Sequence, residues 1–285
     1  MQPPAYPAPQ CQWDPEWLAA LRQTACQAPA APRVPLMLGC DLVGSVEPVF
    51  FSAFVAAHPQ WLGTVLAPAQ DAGWALLGAA DDSLALLAEA LRTYPGSPVG
   101  RLWRNEKLAV TAPDGRRLAC VERGAVRVLG IASRAVHLLG QDPRGHSWIQ
   151  QRAWDKPTDP GLWDTLMGGM VPASDSLEQA LARETWEEAG LQLAQLHDLR
   201  YAGSLVLQKP AHAGDALGYV VERADCYIAE VPATCVPQNQ DGEVAQFVCA
   251  APQALRQMLE RHQFTVEAAL LLAHFQPAPP SQTTG

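Results

Sequence analysis

Near the start of the chain Trp17, Leu18 and Leu21 fall on one helical face, just after Asp14 and Pro15. An aspartate suits the capping position and a proline the first helical one, so the pattern predicts a helix over residues 15–26. Leu84, Leu86, Leu87 and Leu91 repeat the spacing until Tyr94-Pro95-Gly96 interrupts it, which predicts a second helix over 82–91. Two extended stretches, 107–111 and 118–123, are joined by the turn signal Pro113-Asp114-Gly115. Together these make an α/β N-terminal region that ends near Arg123.

From Ala125 the texture changes. Residues 126–131, 136–139 and 146–153 read as strands, the last with alternating faces. A Pro/Gly-rich loop over 156–161 leads to Gly168-Gly169. A helix then starts behind Ser176, because in Ser176-Leu177-Glu178-Gln179 the serine oxygen and the glutamine side chain each satisfy an orphan backbone donor. It runs to about Ala189, where Gly190 supplies a left-handed stop. Beyond it 203–207, 217–221 and 225–231 read as strands, and 252–261 and 266–275 as helices.

A chain of 285 residues with 48% hydrophobic content buries one large core or two ordinary ones. Residues 1–14 and 276–285 are rich in Pro and small polar residues, which predicts disordered ends around an accessory α/β domain at 15–124 and a second domain at 125–275. Twenty basic against 29 acidic residues give a net charge of −9, which opposes extended docking on nucleic acid or an anionic membrane. The start of the chain lacks the basic and apolar regions of a secretion signal, and no apolar run reaches the ~20 residues that span a bilayer. The seven cysteines are scattered without a CxxC pair, so reduced thiols and a cytoplasmic location are expected.

The chemistry concentrates on the central helix. Glu184, Glu187 and Glu188 stand at i, i+3 and i+4, three carboxylates on nearly one face. Taken alone they read first as a solvated acidic face, and only their context changes that reading. Ahead of them Gly168-Gly169 supplies backbone able to approach a metal or phosphate closely. Hard divalent cations take such oxygen ligands together with substrate phosphate oxygens.

The segment from Gly169 through Asp175 and Arg183-Glu184-Thr185-Trp186-Glu187-Glu188 to Gly190-Leu191 resembles the Nudix box, G-x5-E-x7-R-E-U-x-E-E-x-G-U, in seven of nine defined positions. The resemblance implies an α/β/α sandwich with a mixed sheet over 125–275, preceded by the smaller α/β domain. It also implies hydrolysis of a diphosphate linkage in a small molecule, with Mg2+, or Mn2+ in its place, held by Glu184, Glu187, Glu188 and the Gly168 carbonyl. Arg183 then orients the carboxylates. A box glutamate or Glu243 is the base, with Asp241 competing for that role.

The departures are Asp175, where the family has Glu, and Thr185, where it has an aliphatic residue. The shorter Asp175 is expected to lose a contact or make it through water, and the Thr185 hydroxyl to bond a helical carbonyl. Arg152, Lys156, Trp148 and Trp163, close to the box in sequence, are candidates for phosphate neutralisation and stacking. His137, His146 and His212 lack metal-ligand spacing and read as surface or hydrogen-bonded residues.

Segments 103–106, 156–169 and 239–244 are similar to a Nudix subgroup that carries an extra N-terminal domain and was once labelled as related to thiamine pyrophosphokinase. That likeness implies thiamine diphosphate or its oxidised analogues as substrate, with release of the monophosphate. ADP-ribose or nucleoside diphosphate derivatives are the alternative. Trp163-Asp164 and Gly168-Gly169 are also shared with isopentenyl diphosphate isomerases, but no cysteine lies between Cys120 and Cys226 to serve that chemistry. A binding module without catalysis and a homodimer remain open at this level.

Overall fold

The computed structural model describes residues 6–212 and 214–276. Helix α1 (Pro15–Ala25) starts as the sequence predicts, with Asp14 accepting the Trp17 N–H at 2.8 Å. Strands β1 (Val34–Leu38) and β2 (Asp41–Val46) then form a hairpin. Helix α2 (Pro48–Ala56), β3 (Leu66–Pro68) and β4 (Trp74–Leu76) complete a four-stranded sheet of order β2-β1-β4-β3. Helices α3 (Ala80–Thr93) and α4 (Val99–Leu102) precede a hairpin of β5 (Lys107–Thr111) and β6 (Arg117–Glu122). One core holds these parts together around Leu36, Phe51, Phe54, Leu84, Leu87 and Leu108.

The strand expected over 126–131 does not form. Residues 123–125 make a 3-10 turn, and the Ile131 N–H bonds back to the Val126 carbonyl. Val126, Val128, Leu129 and Ile131 are apolar because they plug the bottom of the first core. A short apolar run carries no period that separates a strand from such a plug.

The second half is built on β7 (Ser133–Gln141), β8 (Ser147–Arg152), β9 (Trp163–Asp164) and β10 (Met167–Met170), followed by α5 (Leu177–Ala189). Strands β11 (His197–Pro210), β12 (Tyr219–Glu230) and β13 (Val244–Ala250) and helices α6 (Pro252–Glu260) and α7 (Val266–Phe275) complete it. The stretches 217–221 and 225–231, separate in the sequence reading, run together as β12. The sheet order is β11-β12-β7-β8-β13, with β10 on β7 and β9 on β8. The β7–β12 pair is parallel and its neighbours are antiparallel, so the sheet is mixed. Val136 and Leu138 of β7 face α5, while Leu139 packs with α7 on the opposite face. Helices thus cover both faces, the α/β/α sandwich expected.

The N-terminal stretch differs from the frayed end expected, within residues 6–14. Tyr6 donates its hydroxyl to the Val206 carbonyl at 3.2 Å, Trp13 Nε1 donates to the Ala273 carbonyl at 2.9 Å, and His274 Nδ1 meets the Pro7 carbonyl at 2.7 Å. Its aromatic residues give it apolar surface to bury against α7 and β11. Helix α1 follows the same course: Leu18, Leu21 and Ala25 belong to the core of α7, not to that of the first sheet. Residues 1–5 and 277–285 of the expected disordered ends lie outside the described residues. All seven cysteines are free thiols, and no described helix is long and apolar enough to cross a membrane.

Candidate active site

Helix α5 is fixed at both ends by its sequence. Ser176 and Gln179 form the reciprocal capping box, and Gly190 takes the left-handed conformation at φ 63°. Buried Thr185 donates its hydroxyl to the Leu181 carbonyl at 2.6 Å, which satisfies the group that departs from the aliphatic pattern. With its axis thus set, the helix presents Arg183, Glu184, Glu187 and Glu188 toward β10.

Arg183 gathers the acids. Its Nε donates to Asp175 Oδ2 at 3.1 Å, and its Nη1 donates to Glu184 Oε1 at 3.0 Å and Glu187 Oε2 at 2.9 Å. Burial works against the charge on Arg183, but Glu184, Asp175 and Glu187 hold its pKa above the ordinary value. The shorter Asp175 keeps a direct contact, because the arginine reaches back to it.

Glu188 points inward, 3% exposed. Its Oε2 accepts the Gly168 N–H at 3.0 Å and Gln150 Nε2 at 2.8 Å. Burial pushes its carboxyl up to about 8, with the nearby Glu184 charge adding to the rise and the Gly168 bond opposing it. Glu184 is also raised by burial, against the pull of Arg183.

The two glycines lie in a strand, not a turn. Gly168 and Gly169 pair with His137 and Val136 of β7. A Cβ on Gly169 would overlap the Glu184 carboxylate, and one on Gly168 would overlap the His137 ring. Their smallness makes room for these side chains.

These groups line a cavity of about 400 Å³. Arg152, Lys156, Asp241 and Glu243 line it too, so the candidate cations and acids outside the box meet the box itself. Arg152 donates to the Thr158 carbonyl at 3.0 Å and pairs with Asp164 at 3.4 Å. Lys156 is ion-paired with Glu243. Burial would raise the Glu243 carboxyl, but the bond and charge of Lys156 hold it below the usual range. Asp241 accepts the Glu243 N–H at 2.8 Å and so serves the turn.

The tryptophans are not brought in. Trp148 packs with Phe247 on the α5 side, and Trp163 packs on the α7 core, its N–H bonded to the Gln263 carbonyl at 2.9 Å. Neither lines the cavity.

A second set of lining residues was not assembled by the sequence: His137, Asp164, Glu222 and Glu267 converge from β7, β9, β12 and α7. His137 Nδ1 lies 3.0 Å from Thr165 Oγ1 and its Nε2 3.0 Å from Glu267 Oε1. Burial would lower the imidazole, but Glu267 and then Asp164 outweigh it, and the ring is pushed up to about 9. Arg104, Arg123 and Arg127 of the N-terminal region also line the cavity, so both halves of the chain wall it.

A separate group, Asp142, His146 and Cys249, sits at the far end of β7. Its carboxylate is already engaged by Arg144 at 2.9 and 2.8 Å and by the N–H groups of Arg144 and His146, which locks the hairpin turn.

Residues 132–270 match the NUDIX domain. Among curated relatives, the uncharacterized yeast protein YJR142W of Saccharomyces cerevisiae is 27% identical, over 61% of this chain and 54% of its own. Nudix hydrolase 24, chloroplastic, of Arabidopsis thaliana is 34% identical over 45% of this chain and 34% of its own. An isopentenyl-diphosphate Delta-isomerase of Leifsonia xyli is 31% identical over 53% of this chain and 79% of its own. The chain thus spans between a third and just over half of the first two relatives. The box carboxylates, the glycine strand and the sandwich thus lie within a NUDIX domain over residues 132–270, and the chain is similar to Nudix hydrolases.

Proposed function

We propose that the cavity hydrolyses a diphosphate linkage by water attack on phosphorus, with a divalent cation. The observation that carries this reading is the juxtaposition, in one cavity, of the Glu184, Glu187 and Glu188 carboxylates with Arg152 and Lys156.

The donor set fits a hard cation such as Mg2+, with Mn2+ as substitute. It is all oxygen, and Glu188 is a carboxylate without an ion pair among the described residues, pushed up to about 8 by burial and by the nearby Glu184 charge. Glu184, Glu187, Glu188 and the Gly168 carbonyl would hold the ion. When bound it supplies positive charge to the diphosphate oxygens.

The protein's own groups do the rest. Arg152 and Lys156 bind phosphate oxygens. Lys156 leaves Glu243 to do so, and the carboxylate it frees faces the cavity, where it accepts the proton of the attacking water. Arg183 keeps Glu184 and Glu187 in position. Neither Trp148 nor Trp163 has a part.

For the substrate we favour thiamine diphosphate or its oxidised analogues, cleaved to the monophosphate, on the likeness of segments 103–106, 156–169 and 239–244 to the subgroup with an extra N-terminal domain. ADP-ribose and nucleoside diphosphate derivatives are the second reading. Isomerase chemistry on isopentenyl diphosphate is disfavoured. It needs a cysteine, none lines the cavity, and the His137 ring leaves no room for a side chain at Gly168. A binding module without catalysis leaves the paired Lys156 and Glu243 and the raised Glu188 without a task.

The test is a panel of thiamine diphosphate, its oxidised analogues, ADP-ribose and nucleoside diphosphates with Mg2+, with products identified by mass. Release of a monophosphate from at least one is expected. No hydrolysis of any of them overturns the reading.

A further inference from the structure

Arg104 and Arg123 reach the cavity from the N-terminal region, on two segments that are fixed to each other. The buried Glu122 carboxylate accepts the Arg104 N–H at 2.8 Å and the Gly124 N–H at 3.3 Å. Asn105, next to Arg104, sits at φ 56°, a conformation costly for a residue with a Cβ, and accepts the Trp103 indole N–H at 2.8 Å. Arg123 donates its N–H to the Glu106 carbonyl at 2.8 Å and its Nη1 to the Glu106 carboxylate at 2.7 Å. A Cβ at Gly124 would lie 2.8 Å from the Leu102 carbonyl oxygen, so the crossing of the two segments admits no larger residue.

This corner is docked on the box itself. Ala173, between Gly169 and α5, donates its N–H to the Lys107 carbonyl at 2.7 Å, and its carbonyl accepts Arg117 Nη1 at 2.6 Å. Met170 packs against the N-terminal core. The lead-in to the box helix is thus fastened to the strand that follows Glu106. Within the cavity the Arg123 charge reaches Glu243 and, behind that of Lys156, helps to hold its carboxyl below the usual range. Arg123 therefore lies near the Lys156–Glu243 pair. Arg104 has no ion pair among the described residues, and its Nη1 donates to the Trp103 carbonyl at 3.1 Å. A guanidinium carries five N–H donors, so both arginines retain donors for a ligand.

We propose that Arg104 and Arg123 bind oxygens of the substrate's diphosphate, so that the N-terminal region completes the active site of the domain beside it. The inference rests on the reading of the box as a diphosphate site. Lys156 offers a phosphate a point charge, whereas a guanidinium matches two of its oxygens in one plane. A diphosphate also brings negative charge to a cavity already lined by Glu184, Glu187 and Glu188, and two cations on the N-terminal wall offset it. Their backbone is fixed before any ligand arrives, which lowers the ordering cost of binding.

The test uses the full chain and methylenediphosphonate, a diphosphate that water cannot split, titrated by calorimetry at constant Mg2+. Arg104→Gln and Arg123→Gln are each expected to weaken its binding at least about tenfold by removing a charged partner. Arg101→Gln, which changes an exposed α4 arginine outside the cavity, is expected to leave it unchanged. Arg123→Lys, which keeps the charge and loses the fork, should fall between. On whichever panel compound is hydrolysed, Arg104→Gln should raise KM by a similar factor with a smaller change in kcat. No binding to the wild type, or equal affinity in the wild type and both glutamine variants, overturns the inference. An equal loss in Arg101→Gln does the same, because it would mark an effect of net charge alone. Arg104→Gln decides even if Arg123→Gln, deprived of its Glu106 pair, misfolds. Probe binding that needs both arginines while no panel compound is hydrolysed would overturn the diphosphatase reading and leave this one standing. Hydrolysis with probe affinity unchanged in the variants would do the reverse.

Discussion

Gly168 donates its backbone N–H to Glu188 Oε2 at 3.0 Å, tying the floor strand of the cavity to the last turn of the box helix. Glutamine at position 188 keeps the acceptor oxygen and removes the charge. For Glu188→Gln we expect turnover to fall at least about 100-fold. The fold should not suffer. The folded carboxyl is raised from 4.5 to about 8, so its contribution to stability is full below about 4.5, falls as pH rises above that value and is lost by about pH 8. Thermal melting at pH 8 should therefore place the variant at or above the wild type. Undiminished turnover would remove Glu188 from the reaction.

Gly169 and Glu184 occupy complementary space. Gly169→Ala should destabilise the protein by roughly 1–3 kcal/mol through overpacking and lower activity as Glu184 is displaced. In a Glu184→Ala background the stability penalty should shrink. A double-mutant cycle by chemical denaturation measures the coupling, and additive penalties would show that the two residues do not compete for the same volume.

Arg183 holds three acids with a planar fork that a lysine cannot reproduce. Arg183→Lys should raise the Mg2+ concentration needed for half-maximal activity by roughly tenfold or more, as loss of a group that orients metal ligands does elsewhere. Titration of activity against Mg2+ reads this directly. An unchanged midpoint would leave Arg183 a purely structural tie.

His274 is buried as a neutral ring, with Nδ1 against the Pro7 carbonyl at 2.7 Å and Nε2 accepting Arg22 Nε at 3.4 Å. Burial, helped by Arg22, depresses it from 6.5 to about 4. Because the folded value lies below the unfolded one, its contribution is complete above about 6.5 and is lost as pH falls through about 4. Melting temperatures between pH 7 and pH 4 should fall less steeply in His274→Asn, which cannot take up the proton. Parallel slopes would refute the assignment.

What the sequence made legible was local. The ends of α5, its capping box and its glycine stop depend on residues three or four apart, and so does the acidic face. The 1–4 sheet of the N-terminal region was missed because β3 and β4 are three residues long and too short to show alternation. Trp148 and Trp163 looked like binding groups because they are near the box in sequence, yet alternation along β8 and the pairing of β9 turn them into cores. Glu222 and Glu267 went unnoticed for the converse reason. One sits in an apolar strand and the other in a first helical turn, where an acid is ordinary, and only the packing of α7 over β12 and β7 brings them together.

Trp13 and Ala273 are joined by a hydrogen bond across 260 positions of sequence, and α1 lies on α7 beside it. During synthesis the first helix therefore emerges long before the surface it covers. Its apolar stripe stays undocked until α7 has been made. Contacts of such separation carry a high loop-closure entropy and slow folding. Closure of this clasp is the step at which the nascent protein stops presenting Leu18 and Leu21 to its surroundings, so chaperone dependence should track mutations in α1 more closely than mutations in the box.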